Sequence, residues 1–406
     1  MNEILSVGLI LIAAVIAGHL AQLVRVPEVT GYLLVGLALG PSAFDVVSHD
    51  NVATLGFLSE VALGLILFNI GAIFETSNFR RVGSGVVRVT LWEATLAMVC
   101  VAGVLLALGI GWPLALLLGV VAMETAPATT LMVLNEYDAR GPLTERLLAL
   151  VAMNNMYVLV TFGAVSALVT ALAPSSNDGV LLGTYRAVYG VAWTTFGSIA
   201  LGALLGLAAD LLASRAKETG EAMIVAAGVV LIALGASRFL GLSPLIATLA
   251  LGATVANASV HGSRLLEALG GADPPLYAAF FVLAGAELTP GALRGLGLVG
   301  AGYIVARAAG KIAGARIGLR AAAVPDIVKR QLGLCLISSS SLAVGLTIQI
   351  RAAFPDYSAT VTPVVLGAVL VFEIIGPLLT RRALLLTGEA RTMPAPLDEA
   401  AETDVA

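Results

Sequence analysis

The residues that suggest chemistry in this 406-residue chain are polar side chains inside long apolar stretches. The first group is Glu124-Thr125-Ala126-Pro127, with Thr129 two residues later. Pro127 removes a backbone donor, and a helix interrupted there exposes carbonyl and amide groups that can bind an ion or a polar solute. The alternative is a proline kink whose free backbone groups are satisfied by the neighbouring threonines.

Two further groups lie in later apolar stretches. Asn154 and Asn155 are adjacent and point about 100° apart on a helix, so one amide can face the broken segment and the other a neighbouring helix. The alternative is that these amides only join helices to one another. Arg307 and Lys311 are four residues apart, on one helical face, and Lys311 lies about two turns from the nearest basic end at Arg316. Lys311 therefore needs a partner inside the protein. The alternative is that this partner forms only a structural ion pair with it.

The fourth group combines the serines Ser338, Ser339, Ser340 and Ser341 with Glu373 in the last apolar stretch. Consecutive hydroxyl side chains compete for the hydrogen bonds of a helix, so the serine run predicts a second interrupted helix. Breaks at corresponding places in two halves of a chain are typical of transporters with inverted repeats and a binding site at the middle of the membrane.

The composition explains where these groups must lie. Hydrophobic residues make up 59% of the chain, charged residues 12%, and the mean hydropathy is +0.98. This excludes a water-soluble enzyme and a nucleic-acid-binding protein. Cys100 and Cys335 each lie in an apolar run, which argues against a disulfide framework or a thiolate metal site. A His-Glu-x-x-His motif and a Gly-rich phosphate loop are both absent from the sequence, so we expect neither an intramembrane enzyme nor a cofactor.

The apolar stretches predict an all-α membrane protein of about 13 transmembrane helices. Residues 1–386 form the predicted transmembrane domain, and residues 387–406 a disordered acidic cytoplasmic tail. The predicted spans lie near residues 4–24, 29–47, 53–74, 83–109, 113–135, 143–172, 186–213, 221–239, 243–258, 274–288, 295–318, 328–350 and 358–386.

The basic residues predict how these spans are oriented. Cytoplasmic loops carry an excess of Lys and Arg. With the N-terminus outside and the C-terminus inside, 16 of the 22 Lys and Arg residues fall in inner loops and the tail and four in outer loops, while Arg307 and Lys311 fall inside a span. We therefore expect an N-out, C-in protein of the bacterial inner membrane, surrounded by lipid.

Several short motifs, spread over nearly the whole chain, carry a resemblance to a known family. They include Val26-Pro27-Glu28-Val29-Thr30-Gly31-Tyr32, Leu39-Gly40-Pro41-Ser42, Phe68-Asn69-Ile70-Gly71 and Glu373-Ile374-Ile375-Gly376-Pro377. In this order the sequence resembles the membrane domain of the monovalent cation:proton antiporters. The resemblance implies a homodimer with inverted repeats, in which two broken helices cross inside a core that moves like an elevator. The broken helices would be the fifth and twelfth spans, and we expect them to be unwound near residues 125–129 and 338–342.

The resemblance also implies an ion site with one or two aspartates in the sixth span, and the chain departs from that pattern. Asn154 and Asn155 stand at those positions, and an amide coordinates a cation through its oxygen but carries no proton. We expect Glu124 to replace the missing aspartate and to pair with Lys311. In a second version Lys311 has no partner and carries the proton itself. Glu60 and Glu93 are expected to be structural or near-interface residues.

The predicted function is secondary transport, with Na⁺ or K⁺ exchanged for protons. The predicted site combines Glu124, Thr125, Thr129, Asn154, Asn155, Arg307, Lys311, Ser339, Ser340 and Glu373. The alternative keeps the fold but transports an organic anion or polar solute, or works as a uniporter, because the aspartates are missing. A third possibility is a sensor or scaffold that does not transport.

Overall fold

The computed structural model describes residues 3–72, 85–172, 180–216, 218–270, 273–288, 291, 297–339 and 341–391. Over these residues the regular secondary structure is entirely helical. The helices are α1 (Glu3–Leu23), α2 (Glu28–Leu39), α3 (His49–Ala72), α4 (Gly85–Ala107), α5 (Trp112–Val121), α6 (Pro127–Glu136), α7 (Pro142–Leu172), α8 (Val180–Ala213), α9 (Thr219–Phe239), α10 (Pro244–Ala258), α11 (Gly262–Gly270), α12 (Asp273–Glu287), α13 (Gly297–Gly318), α14 (Asp326–Cys335), α15 (Ser341–Ala353) and α16 (Ser358–Thr387).

Each predicted span overlaps one helix, or a pair of helices in the fifth and twelfth spans. Within the described residues, seven helices are long and apolar enough to cross a membrane, and four shorter apolar helices accompany them. The chain is therefore a multi-pass membrane protein, while the count of 13 crossings stays a prediction. The short helix α11 was not predicted, because its sequence GSRLLEALG is too brief and too polar to register as a span.

Both predicted helix breaks are present, a few residues earlier in the chain than predicted. The fifth span is helical to Val121 and again from Pro127, so the unwound stretch is 122–126 rather than 125–129. The reason is that proline fits the first turn of a helix, where its missing N–H has no partner to lose. The twelfth span is helical to Cys335 and again from Ser341, with Ser340 outside the described residues.

The helices form two bundles. In the first, α4 packs along α13, α5 contacts α4 and α7, and α16 contacts α13, α14 and α15. In the second, α10 packs on α3 and α8, and α12 packs on α2 and α3. The first bundle contains the same succession twice, because helix, broken pair and helix occur as α4, α5–α6, α7 and again as α13, α14–α15, α16.

Glycines on α13 set how closely the two copies of this succession approach. A Cβ atom at Gly310, Gly314 or Gly318 would lie 2.6, 2.5 or 2.7 Å from the Cα atoms of Ala97, Glu93 and Val89, respectively. Residue numbers rise along α13 as they fall along α4, so the two helices run antiparallel. This is the relation expected between the first helices of inverted repeats, and it brings the middle of α13 against Glu93.

The prediction of a disordered tail is wrong for its first five residues, 387–391. Helix α16 continues to Thr387, and Glu389 is buried. The Glu389 carboxylate accepts hydrogen bonds from the backbone N–H groups of Leu143 and Thr144 at 2.7 and 2.8 Å, and from the Thr144 hydroxyl at 2.8 Å. These donors belong to the first turn of α7, where N–H groups have no partner within the helix, so the tail is held there. Residues 392–406 lie outside the described part of the chain.

Candidate functional site

The two unwound stretches touch each other directly. The Ala126 N–H donates to the Ser338 carbonyl at 3.2 Å, and the Thr125 hydroxyl donates to the Leu336 carbonyl at 3.2 Å. These contacts join the α5–α6 connection to the α14–α15 connection, as the crossing of two broken helices requires. All four residues are buried. We call this region, residues 122–126 and 336–339, the crossover.

Arg307 satisfies the carbonyl groups that the two breaks leave without helical partners. Its guanidinium donates to the carbonyls of Ala122 at 3.2 Å, Glu124 at 2.7 Å and Ser338 at 3.2 Å, and also to the carbonyl of Ile337. The side chain is 1% exposed, so it does not extend to the membrane surface. A buried guanidinium with four carbonyl acceptors holds both half-helices in place.

The Glu124 side chain is part of the same group. One of its oxygens lies 3.6 Å from the Arg307 guanidinium and accepts a hydrogen bond from the Ser339 hydroxyl at 3.0 Å. The guanidinium carbon also lies 4.4 Å from the centre of the Phe372 ring. Thus Glu124 balances Arg307, and the expected pairing of Glu124 with Lys311 is wrong for this structure.

The partner of Lys311 is Glu93 on α4. The Lys311 ammonium donates to the Glu93 carboxylate at 2.9 Å, to the Met123 carbonyl at 2.7 Å and to the Thr125 hydroxyl at 2.7 Å. The Asn154 amide donates to the other Glu93 oxygen at 2.6 Å and to the Met123 carbonyl at 2.8 Å. Both charged side chains are 0% exposed. All three ammonium protons and both carboxylate oxygens therefore have partners, and the second version, a Lys311 without a partner, is also wrong.

Sequence reasoning missed Glu93 as the partner, although a signal was available. A charged residue inside an apolar span is a candidate for function by default. In addition, Gly310, Gly314 and Gly318 form a small-xxx-small stripe, which indicates a helix packed closely on that face of α13. Lys311 follows the first of these glycines, so its partner had to come from the helix packed against them.

Asn155 points away from this ion pair, toward the second bundle. Its amide N–H₂ donates to the Val151 carbonyl at 3.1 Å, and no donor within the described residues reaches its oxygen. The residue is 7% exposed and borders a small cavity of about 20 Å³ next to Pro127. That volume is close to the space that one water molecule requires.

A much larger cavity of about 1220 Å³ lies between the two bundles. Its walls come from α3, α7, α8, α9, α10, α12 and α15, and it shares Leu63, Leu159, Leu245 and Leu342 with the small cavity at Asn155. Glu287 lines the large cavity, and so do Glu60 and Arg238, which form an ion pair. These four leucines line both cavities, so a single layer of leucine side chains separates the large cavity from the small one at Asn155.

The other predicted site residues are less uniform in their contacts. Glu373 on α16 is 5% exposed, and among the described residues no hydrogen bond or ion pair reaches its carboxylate. The charged groups that act on it are those of Glu124 and Glu287. Thr129 is buried in the first turn of α6, and Ser340 lies outside the described residues. The structure thus brings Thr125, Asn154, Arg307, Lys311, Ser339 and Glu124 together at the crossover.

The fold and the sequence both match known membrane transporters. Two structures of the sodium proton antiporter MjNhaP1 from Methanocaldococcus jannaschii superpose with TM-scores of 0.66 and 0.74, at 19% and 17% sequence identity. Each match covers 97% of this chain and 99% or more of the other. At this identity the matches show the fold, which is that of the crossed broken helices predicted above.

Two curated relatives match shorter regions. The iron transporter MagA of Paramagnetospirillum magneticum is 30% identical over 185 residues, which is 44% of this chain and 42% of that protein. The ammonium/H(+) antiporter subunit AmhT of Alkalihalophilus pseudofirmus is 23% identical over 181 residues, 44% of this chain and 45% of that protein. The matched regions thus span under half the length of these relatives.

The family profile described as "Sodium/hydrogen exchanger, transmembrane" matches residues 9–385. That range begins in α1 and ends near the end of α16, so it includes both broken helices, the Glu93–Lys311 pair and Arg307. Because the profile matches almost the whole chain, and with the crossover in place, the chain belongs to the sodium/hydrogen exchanger family.

Proposed function

We propose that this chain exchanges a monovalent cation, Na⁺ or K⁺, for protons across a bacterial inner membrane. Family membership supports exchange, and the names of two similar proteins, a sodium proton antiporter and an ammonium/H(+) antiporter subunit, describe cation and proton transport. The shared fold alone does not select a substrate, whereas the charges at the crossover do bear on it.

The charge balance at the crossover is the observation that carries the proposal. Around the crossover, the buried acids among the described residues are Glu93, Glu124 and Glu373, and the buried bases are Arg307 and Lys311. Glu93 pairs with Lys311 and Glu124 with Arg307, which leaves one carboxylate without a base. An isolated charge is expensive in a membrane interior, so that carboxylate requires either a proton or a cation. Competition for one carboxylate is a sufficient basis for antiport.

The same balance argues against the alternative functions. An organic anion entering this region would meet a surplus of negative charge, so the charges disfavour it. A uniporter needs no group that takes up a proton when the cation leaves, yet the surplus carboxylate provides one. With one surplus carboxylate, we expect one cation to exchange for one proton, so that net charge is not moved and the rate does not depend on membrane potential.

We further propose a homodimer with its N-terminus outside and its C-terminus in the cytoplasm. The asymmetric distribution of Lys and Arg supports this orientation. In this orientation, the mouth of the large cavity, near the ends of α9 and α15, faces outward.

The expected dimer is checked by measuring the protein mass in detergent over a concentration series, where a constant protomer mass would contradict it.

Transport by the purified protein in proteoliposomes tests the function. A proton gradient reported by an internal pH dye is challenged with NaCl, KCl, LiCl, NH₄Cl or Fe²⁺, and with organic anions as sodium-free salts. Antiport predicts that a monovalent cation dissipates the gradient in liposomes with protein and not in empty ones. If no monovalent cation does so while an organic anion does, the alternative function is correct.

A further inference from the structure

Glu373 differs from the other buried charges of the crossover because its carboxylate has no partner. Glu93 uses both oxygens, and Glu124 interacts with Arg307 and Ser339. In the described part of the chain, by contrast, nothing donates to Glu373, although its side chain is 5% exposed. A buried carboxylate without a hydrogen-bond donor is strongly unfavourable as an anion. Glu373 therefore requires a proton or a cation.

A second unsatisfied oxygen belongs to Ser338 of the crossover, which packs against the side of α16 that carries Glu373. The Ser338 hydroxyl is buried, and no partner for its oxygen occurs within the described residues. Ser338 packs against Gly376, where an added Cβ would lie 2.6 Å from the Ser338 Cβ. Gly376 is three residues after Glu373, so both lie on one side of α16. Ser338 therefore lies against the side of α16 that carries Glu373, and a hydroxyl and a carboxylate are both oxygen ligands of the kind that a small cation prefers.

The acids near Glu373 make its surroundings negative, and one of them faces the large cavity. Glu124 from the α5–α6 connection and Glu287 from α12 are the charged groups that act on it, and both are acids. The nearby Arg307 lies over the adjacent Phe372 ring, but its charge is balanced by Glu124. Glu287 lines the cavity of about 1220 Å³, so one of the two acids that act on Glu373 faces that cavity.

We propose that Glu373 is the carboxylate at which the proton and the monovalent cation compete, with the Ser338 hydroxyl as a second ligand of the cation. This inference rests on the proposed antiport and identifies where it takes place. The neutral carboxylic acid of Glu373 releases its proton as the cation binds to the resulting carboxylate, and the reverse step releases the cation. The ion site has thus moved from α7, where Asn154 and Asn155 replace the expected aspartates, to α16.

In this arrangement the Glu93–Lys311 pair has a positioning role. It is fully buried and borders neither cavity, and every ammonium proton is already donated. A cation could reach Glu93 only by displacing Lys311 and the Asn154 amide together. The pair therefore fixes α4 and α13 around the crossover, while exchange takes place at Glu373.

The test compares Glu373→Gln with Glu373→Asp, Ser338→Ala and the surface control Glu145→Gln, all in full-length protein. Two measurements are made: cation-driven proton flux in proteoliposomes between pH 6 and 9, and thermal unfolding in detergent during titration with NaCl, LiCl or KCl at constant ionic strength. We expect Glu373→Gln to reduce flux by at least about 100-fold and to abolish stabilisation by the cation. Glu373→Asp should retain exchange with a shifted pH profile, and Ser338→Ala should weaken the apparent cation affinity about tenfold without loss of maximal rate. Glu145→Gln should match the wild type.

Two results would overturn the assignment. If the wild type exchanges cations for protons and Glu373→Gln does so within twofold, with the same pH profile, then Glu373 is not the site and the proposed antiport still stands. If the wild type neither exchanges nor is stabilised by any of the three cations, antiport and site both fail. Should Glu373→Gln not fold, Ser338→Ala and Glu373→Asp decide, because unchanged cation affinity and pH profile in both contradict the proposal.

Discussion

Lys311 and Glu93 form an ion pair at 2.9 Å that joins α13 to α4 within the first bundle. The pair does not face solvent, and the Asn154 amide completes its hydrogen bonds from α7. The Glu93 carboxylate therefore links three helices, α4, α7 and α13. Breaking such a pair from one side leaves a buried charge, whereas replacing both partners by apolar residues of similar size is often tolerated.

Lys311→Ala should accordingly destabilise the protein. Loss of the ammonium leaves the Glu93 carboxylate buried without its base, at a cost of ~3–5 kcal/mol. The double variant Glu93→Leu with Lys311→Met should recover at least half of the lost stability. We expect the unfolding temperature in detergent, measured by intrinsic fluorescence, to be highest for the wild type, lower for the double variant and lowest for the single variant. If the double variant is the less stable one, the pair is not a structural unit.

Gly314→Ala should disturb the contact between α13 and α4. The new Cβ would lie 2.5 Å from the Glu93 Cα and 2.5 Å from the Trp92 carbonyl oxygen, so the helices must move apart. Overpacking of this kind costs ~1–3 kcal/mol. Gly235→Ala on α9 is a matched control, because nothing lies within 4 Å of the added Cβ and the substitution should be neutral or stabilising. Equal unfolding temperatures for the two variants would contradict close packing at Gly314.

Asn155→Asp should change the coupling of transport. The new carboxylate would border the small cavity next to Pro127 and add a second negative charge without a base. We expect a higher apparent affinity for cations and an exchange rate that depends on membrane potential, because two protons then compete with one cation. Flux at potentials set by a potassium ionophore measures this. Asn154→Asp is the contrasting variant, since it places a like charge against Glu93 and should lower stability.

Glu389→Ala should weaken the start of α7. The carboxylate accepts hydrogen bonds from two N–H groups of the first turn. Losing such a helix cap lowers the free energy of unfolding by ~1–2 kcal/mol. Amide hydrogen exchange at residues 143–146 should accelerate, while exposed Glu267→Ala on α11 should leave it unchanged. Unaltered exchange in the Glu389 variant would show that α7 does not need the tail.

The sequence was informative where a single segment determines the outcome. Hydropathy located the helices, and Pro127 and the serine run located the two breaks, because these effects act within a few residues. The choice between Glu93 and Glu124 as the partner of Lys311 could not be made in the same way. Glu124 lies within a break and Glu93 does not, yet the rotation of α4 about its axis, set by the glycines of α13, decided the pairing. Such rotation depends on packing between distant segments.

The bonds of Arg307 also bear on how such a protein can change in evolution. All four of its hydrogen bonds go to main-chain carbonyls, at Ala122, Glu124, Ile337 and Ser338. Every residue type has such a carbonyl, so the crossover keeps its shape whichever side chains occupy these positions. A chain with this support can lose aspartates from one helix and gain a carboxylate on another without dismantling the framework that holds them. Arg307 thereby separates the inheritance of the fold from that of its ion specificity.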